Sequence, residues 1–273
     1  MFKNILLLGS KGYLGNQLKI RLSKDFRVYE FNRKEIKMFQ SEKNDLFKNI
    51  TFDAFFNLTV KYDNQSSFAE VVKSNYLLAL EVLEKIKKSE EFKIFYFDTF
   101  YSKFYTKSIQ SSYLLSKKNL VEWARLFHLQ KKKPTTFILR LEHVVGPDES
   151  ERKFNGWLIN KLKKNEPISL GPCDHSFDFI HIKDIIDSII ILLATEEFKN
   201  KFVCLDVGSG KAYPLKNFVN LLKSKLNSKS KITFGTTRLD SFKNQSSVGD
   251  IKELIVLGWK PKTDLNEIID SII

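Results

Sequence analysis

Apolar residues in the first half of the chain come in two textures. Short β-rich runs at 4–8, 27–31, 54–58, 93–97 and 135–141 are bounded by turn residues and read as strands. Between them lie stretches with helical spacing, at 16–23, 68–88 and 113–129. In the longest, Val71, Tyr76, Leu80, Leu83 and Ile86 make an apolar stripe. Strands alternating with helices of this length imply βαβ units, because a parallel neighbour needs a long crossover and a helix supplies it. The expected fold class is therefore α/β, with a doubly wound parallel sheet. After Gly146-Pro147 the texture changes to short segments broken by Asn165-Glu166-Pro167, Gly171-Pro172 and Gly208-Ser209-Gly210. This reads as a smaller, interleaved C-terminal region at 146–273, following a first domain at 1–145 that the chain rejoins near 178–200.

Composition narrows the class. The hydrophobic share of 42% over 273 residues supports a buried core and excludes intrinsic disorder. The net charge of +13 raises the question of a polyanionic partner, but only seven of the 45 basic residues are Arg. Base and phosphate readers lean on Arg, and the lysines are scattered apart from short clusters such as Lys131-Lys132-Lys133, so no nucleic-acid partner is expected. Two cysteines make no disulfide framework and point to a reducing compartment. Cys173-Asp174-His175 holds ligand types without a second cluster at zinc spacing, so no metal is expected. The apolar run at 4–8 is too short for a signal core, and that at 185–194 is broken by Asp187 and Ser188, so a soluble cytoplasmic protein with no membrane partner is expected.

Gly9-Ser10-Lys11-Gly12-Tyr13-Leu14-Gly15 follows the first strand and opens the first helix. In that place Gly9 permits a tight turn, Gly12 lets the backbone approach a pyrophosphate, and Gly15 allows close helix–strand packing. The helix N-terminus offers N–H groups and a positive dipole end. This predicts a Rossmann-type dinucleotide site. At the end of the second strand Asn32-Arg33 stands where an acid usually binds a ribose hydroxyl, and the nearest acid is read as Glu35. Arg33 with Asn32, aided by Lys11, suits a 2′-phosphate, which points to NADP (as NADPH). Arg33 as a solvated loop charge would leave either cofactor open.

Tyr113 and Lys117 stand four residues apart on one helix face. A Lys beside a phenol favours the phenolate and tunes Tyr113 as an acid/base, and Thr99, just past the fourth strand, can reach the same substrate oxygen. Together these residues resemble the catalytic frame of an extended short-chain dehydrogenase/reductase of the NAD-dependent epimerase/dehydratase family. Leu139-Arg140-Leu141-Glu142-His143-Val144-Val145-Gly146-Pro147 resembles that family's LRLxNVYGP segment, residues 177–184 its RDFIHVDD segment, residues 205–210 its NVGSG turn, and 257–261 its closing LGWKP. Within the family the wording is similar to the 4-ketoreductases of the CDP-abequose and CDP-paratose synthase type.

The resemblance implies that Leu58, Thr59, Lys117 and His143 join the glycine loop around the cofactor, with His143 a satisfied polar group and no proton carrier. It also implies a nucleotide-diphosphate sugar substrate bound by Thr99, Phe100, Lys153, Phe154 and Arg238, and a homodimer through helices 68–88 and 113–129. Phe177 replaces the family's usual Arg, removing one phosphate contact; Arg238, the sole Arg after residue 152, is the expected pyrophosphate ligand. Thr99 is followed by Phe100-Tyr101-Ser102 and not by the Asp-Glu pair of a dehydratase. The expected activity is NADPH-dependent reduction of the C4 ketone of a nucleotide-linked, CDP-type 4-keto-deoxysugar for bacterial surface polysaccharide. The alternatives are a nucleotide-sugar epimerase with retained NAD, and a non-catalytic NADP-sensing or RNA-binding protein on the same fold.

Overall fold

Ile5, Leu6, Leu7 and Leu8 are all fully buried, so the strand they form, β1 (Asn4–Leu8), is covered on both faces and must be central. The computed structural model describes residues 3–31, 47–62, 66–106, 111–131, 133–235 and 245–273. In it β1 pairs in parallel with β2 (Arg27–Phe31) on one side and with β3 (Thr51–Asn57) on the other. The six-stranded parallel sheet runs β2-β1-β3-β4-β5-β9, with β4 at Lys87–Thr99, β5 at Thr135–Leu141 and β9 at Phe202–Val207. The strand order reverses between β1 and β3, and in a doubly wound sheet the carboxyl ends of those strands are where a ligand crevice opens.

The helices of the first half are α1 (Tyr13–Leu22), α2 and α3 (Ser112–Gln130). α2 is continuous but composite: Phe68–Val72, a π-helical turn Lys73–Leu77, then Leu78–Lys85. A capping box starts it, with Glu70 N–H donating to Ser67 Oγ at 3.3 Å and Ser67 N–H to Glu70 Oε2 at 3.0 Å. One face of the sheet, with Leu6, Leu8, Phe31, Phe55 and Tyr96, packs on Leu78, Val82 and Leu83 of α2 and Leu120 and Ala124 of α3. Across β3, β4 and β5, Phe56, Phe95 and Phe137 stack in file, with ring centroids 4.3 and 4.9 Å apart.

Two boundaries differ from the sequence expectation. α1 begins at Tyr13, three residues early, because Gly12 serves as its N-cap residue. α2 stops at Lys85 and not at Lys88, because Ile86 turns extended and Lys87 and Lys88 pair in parallel with Thr51 and Phe52. The register then jumps to Ala54 opposite Lys93, so residues 89–92 are accommodated as a bulge in β4. Among the described residues no helix is long and apolar enough to cross a membrane, and no group of three His, Cys, Asp or Glu could hold a metal.

The chain groups into two units. The first is Met1–Arg140 with Ile190–Leu205, and the second is Leu141–Ile189 with Asp206–Ile273. In the second, β8 (Ser176–His181) lies between β6 (His143–Val145), parallel to it, and β10 (Ala212–Pro214), antiparallel. Here α4 (Phe154–Lys163), α6 (Leu215–Lys225), α7 (Lys252–Val256) and α8 (Leu265–Asp270) are added, while α5 (Ile182–Ala194) spans the division. β7 (Ile168–Ser169) and β11 (Ile232–Thr233) form a short parallel pair. Fully buried Asp178 ties this unit together by accepting from Ser209 N–H at 2.6 Å, Gly210 N–H at 2.9 Å and Gly249 N–H at 3.0 Å. A Cβ on Gly208 would stand 2.4 Å from that carboxylate, which is why the turn carries glycine.

Candidate active site

The glycine loop leaves β1 at the carboxyl end of the sheet. Gly9 sits at φ +90°, and a Cβ there would come within 2.9 Å of Leu58 C and Thr59 N. The loop is thus pressed against the segment that follows β3, and Gly9 lies beside Leu58 and Thr59. Leu58 N–H donates to Leu8 O at 2.9 Å, and Thr59 Oγ1 donates to Asn57 Oδ1 at 2.6 Å and stands 2.8 Å from Ser74 O. A Cβ on Gly15 would fall 2.2 Å from Gly9 O. Gly12, Tyr13 and Leu14 carry the chain into α1, whose N-terminus has neither a side-chain cap nor an acid in its first turn. A cradle that a Cβ would fill, below uncapped N–H groups, fits the pyrophosphate of a dinucleotide.

Ser10 is buried and donates through Oγ to Glu30 Oε2 at 2.7 Å, and Glu30 pairs with Lys19 at 2.6 Å. The hydrogen bond from Lys19 and then that from Ser10 hold the Glu30 carboxyl below its usual range. Glu30, inside β2, is therefore an acid hydrogen-bonded to the glycine loop that the sequence reading did not name, while Glu35 lies outside the described residues. An acid within an apolar strand was the signal that could have found it. Lys11 is exposed, and the expected contacts at Asn32 and Arg33 lie outside the described residues, as does Arg238.

The second centre stands at the end of β4. Thr99 is the last residue of that strand and caps the 3₁₀ turn Phe100–Phe104, accepting from Tyr101 N–H at 3.4 Å. Ser111 caps α3 by accepting from Leu114 N–H at 3.2 Å, which sets Tyr113 in the first turn and Lys117 one turn later. The structure brings Thr99, Tyr113 and Lys117 together: the phenol hydrogen-bonds Thr99, and Lys117 Nζ donates to Phe97 O at 2.7 Å. Burial pushes the Tyr113 phenol far above its ordinary range, Tyr62 and Asp98 push the same way, and the Thr99 hydrogen bond opposes them. Burial pulls Lys117 down to about 8, with Asp98 opposing. The expected lowering of the phenol is thus absent, because the ammonium turns to a carbonyl and burial dominates.

Three further residues join this centre. The Tyr62 ring lies 5.0 Å from that of Tyr113. Asn75, fully buried in the π turn of α2, donates to Ser116 Oγ at 2.8 Å and to Lys61 O at 3.0 Å, and accepts from Lys61 N–H at 2.7 Å. Asp98 is buried beside Thr99 and accepts from Ser102 Oγ at 2.6 Å. Asn75 and Asp98 are polar residues set in a helical and an apolar run, a signal present in the sequence but without direction. Phe100 is buried, with its ring centroid 4.1 Å from that of Tyr101.

In the second unit His143 stacks on Phe177 at 4.9 Å, and His175 approaches the same ring at 4.6 Å. Burial lowers the His143 imidazole to about 4, with Lys153 and His175 adding to it. Lys153 is the N-cap residue of α4, and Phe154 opens that helix with its ring 6.3 Å from that of Trp157.

Comparison with known proteins agrees with this frame. The model of the NAD dependent epimerase/dehydratase family matches residues 5–204. CDP-abequose synthase from Salmonella muenchen is 28% identical over 206 residues, covering 75% of this chain and 70% of that protein. The dTDP-4-dehydro-6-deoxyglucose reductase of Escherichia coli is 29% identical over 119 residues, 42% of this chain and 35% of that one. Among solved structures, UDP-glucuronic acid 4-epimerase from Bacillus cereus in complex with UDP-glucuronic acid and NAD shares the fold at a TM-score of 0.80, 18% identity, and 98% and 97% of the two chains. RMD from Pseudomonas aeruginosa complexed with NADPH does so at 0.77, 15% identity and 98% of both. The chain belongs to the NAD-dependent epimerase/dehydratase family.

Proposed function

We propose that the protein is an NADPH-dependent reductase of the C4 ketone of a nucleotide-linked 4-keto-deoxysugar, with a CDP-linked sugar as the favoured substrate. The observation that carries this is Tyr113. Its phenol is held protonated by burial while hydrogen-bonded to Thr99 and one helical turn from Lys117, and a reduction needs a proton donor where an oxidation needs a base. Relatives named CDP-abequose synthase and dTDP-4-dehydro-6-deoxyglucose reductase support the substrate class. Bound NADPH supplies the hydride. Tyr113 Oη gives its proton to the ketone oxygen, Thr99 hydrogen-bonds that oxygen, and Lys117 holds the nicotinamide ribose. The Gly9–Gly15 loop with Leu58 and Thr59 holds the dinucleotide, and Lys11, Asn32 and Arg33 take its 2′-phosphate. Phe100, His143, Lys153, Phe154 and Arg238 are assigned to the two ligands' outer parts. We place the enzyme in the cytoplasm, as a homodimer, in surface polysaccharide synthesis.

The test is NADPH oxidation with purified CDP-, GDP- and dTDP-linked 4-keto sugars. Turnover is expected with the CDP sugar, and Tyr113→Phe is expected to lower kcat by about 10²- to 10⁴-fold with the fold retained. No turnover with any of the three, or full activity in Tyr113→Phe, defeats the reading. Glu30, an acid against the glycine loop, favours a second reading, an epimerase that keeps NAD bound. NAD⁺ held through purification would select it.

A further inference from the structure

We propose that Tyr62 is a specificity-determining residue of the reaction centre, an aromatic platform beside Tyr113 that favours a substrate bare of hydroxyl at C3, next to the C4 ketone. This rests on the reading of Tyr113 and Lys117 as the reducing pair. The Tyr62 ring centroid lies 5.0 Å from that of Tyr113, with the two planes inclined by 38°. Tyr62 is nevertheless 39% exposed, whereas Tyr113 is half-buried, so the ring that neighbours the proton donor keeps part of its surface open. A pyranose whose ketone oxygen meets the Tyr113 hydroxyl extends over the side chains around that phenol, and the open part of Tyr62 borders that space.

A lone exposed aromatic ring is ordinary, but this one is held in place. Tyr62 follows β3 outside any helix or strand, yet the backbone of its neighbour Lys61 is clamped from both sides. Lys61 N–H donates to Asn75 Oδ1 at 2.7 Å, and Lys61 O accepts from Asn75 Nδ2 at 3.0 Å. The same Nδ2 donates to Ser116 Oγ at 2.8 Å, and Ser116 Oγ donates to Tyr113 O at 2.7 Å. One fully buried amide thus joins the segment that carries Tyr62 to the helical turn that carries Tyr113, and hydrogen bonds fix the spacing of the two rings. The adjacent ammonium is engaged with an acid, Lys61 Nζ pairing with Glu70 at 2.8 Å. A hydroxyl turned onto an aromatic face gives up water for at best a weak partner, whereas a methylene gains contact and leaves water. Of the two carbons beside a C4 ketone, C5 carries C6 and the ring oxygen, so C3 is the one that a deoxysugar can leave bare.

The experiment compares kcat/KM, with NADPH, for a 4-keto-3,6-dideoxy sugar and the matching 4-keto-6-deoxy sugar, both on the nucleotide that the wild type turns over. The wild type is expected to prefer the dideoxy sugar by about 10- to 100-fold. Tyr62→Phe, which keeps the ring, is expected to keep the preference. Tyr62→Ala and Tyr62→Asn are expected to lose most of it, through a raised KM for the dideoxy sugar with kcat less affected. A wild type without the preference, or truncations that slow both sugars equally, would overturn the proposal. So would failure of both truncated variants to fold. A wild type inactive on both sugars with every nucleotide would defeat the reductase reading itself. An active wild type whose ratio the truncations leave unmoved defeats this inference alone.

Discussion

Gly12 and Gly15 separate two reasons for a glycine that the sequence writes identically. A Cβ at Gly15 would lie 2.2 Å from the Gly9 carbonyl oxygen, a backbone atom that cannot swing away. Gly15→Ala is therefore expected to cost about 1–3 kcal/mol of stability as well as cofactor affinity. A Cβ at Gly12 meets its nearest neighbour, the same oxygen, at 3.4 Å. Gly12→Ala should keep a near wild-type melting temperature and yet bind NADPH more weakly, because what it obstructs is the ligand's approach. Differential scanning fluorimetry with and without NADPH reads both effects; equal loss of stability in the two variants would refute the distinction. At this scale the loop and the Tyr113–Lys117 pair were legible because a residue type and a spacing carry the chemistry. Glu30, Asn75 and Asp98 were not legible, since each is held by a partner distant in sequence: Ser10, the Lys61–Ser116 pair, and Arg140.

The helices show the same division. Apolar periodicity found α2 and α3, while the Ser67–Glu70 capping box that starts α2 emerged only in the structure. Its end was hidden, because Lys85, Lys87 and Lys88 carry no stop signal and the strand that claims the last two is set by pairing with Thr51 and Phe52. The π turn was hidden as well, since it is a matter of backbone hydrogen bonding; it gives the inward place to Asn75 and leaves Tyr76 half-buried. α3 buries Leu120 and Ala124 against the sheet, yet Leu115, Trp123, Leu126 and Leu129 are exposed within about a third of its circumference, on the opposite side. Phe68 and Leu77 of α2 are exposed too. A double apolar face of this kind calls for a partner, and the proposed homodimer supplies one. Trp123→Glu with Leu129→Lys is expected to yield a monomer by light scattering at concentrations where the wild type is dimeric. A monomeric wild type would remove the proposal.

For the whole molecule, the net charge of +13 and the histidines act in one direction as pH falls. In the second unit burial lowers His143 to about 4, and burial likewise lowers His175 and His181. A histidine depressed in the folded state takes up a proton on unfolding. Its contribution to stability is therefore full above the unfolded value of about 6.5 and is lost as pH falls from there toward 4. Self-repulsion among the cations also grows with acid, but salt screens it, whereas the cost of charging an imidazole stacked on Phe177 is set by burial. The two parts can be separated by calorimetry. The melting temperature is expected to fall between neutral pH and about pH 4, with part of the fall surviving added salt. His143→Phe, which keeps the ring stack without the titrating nitrogen, should remove much of that surviving part. A slope that salt abolishes in the wild type would trace acid sensitivity to the lysine-rich surface. A salt-resistant slope that His143→Phe leaves intact would trace it to titrating groups other than the His143 imidazole.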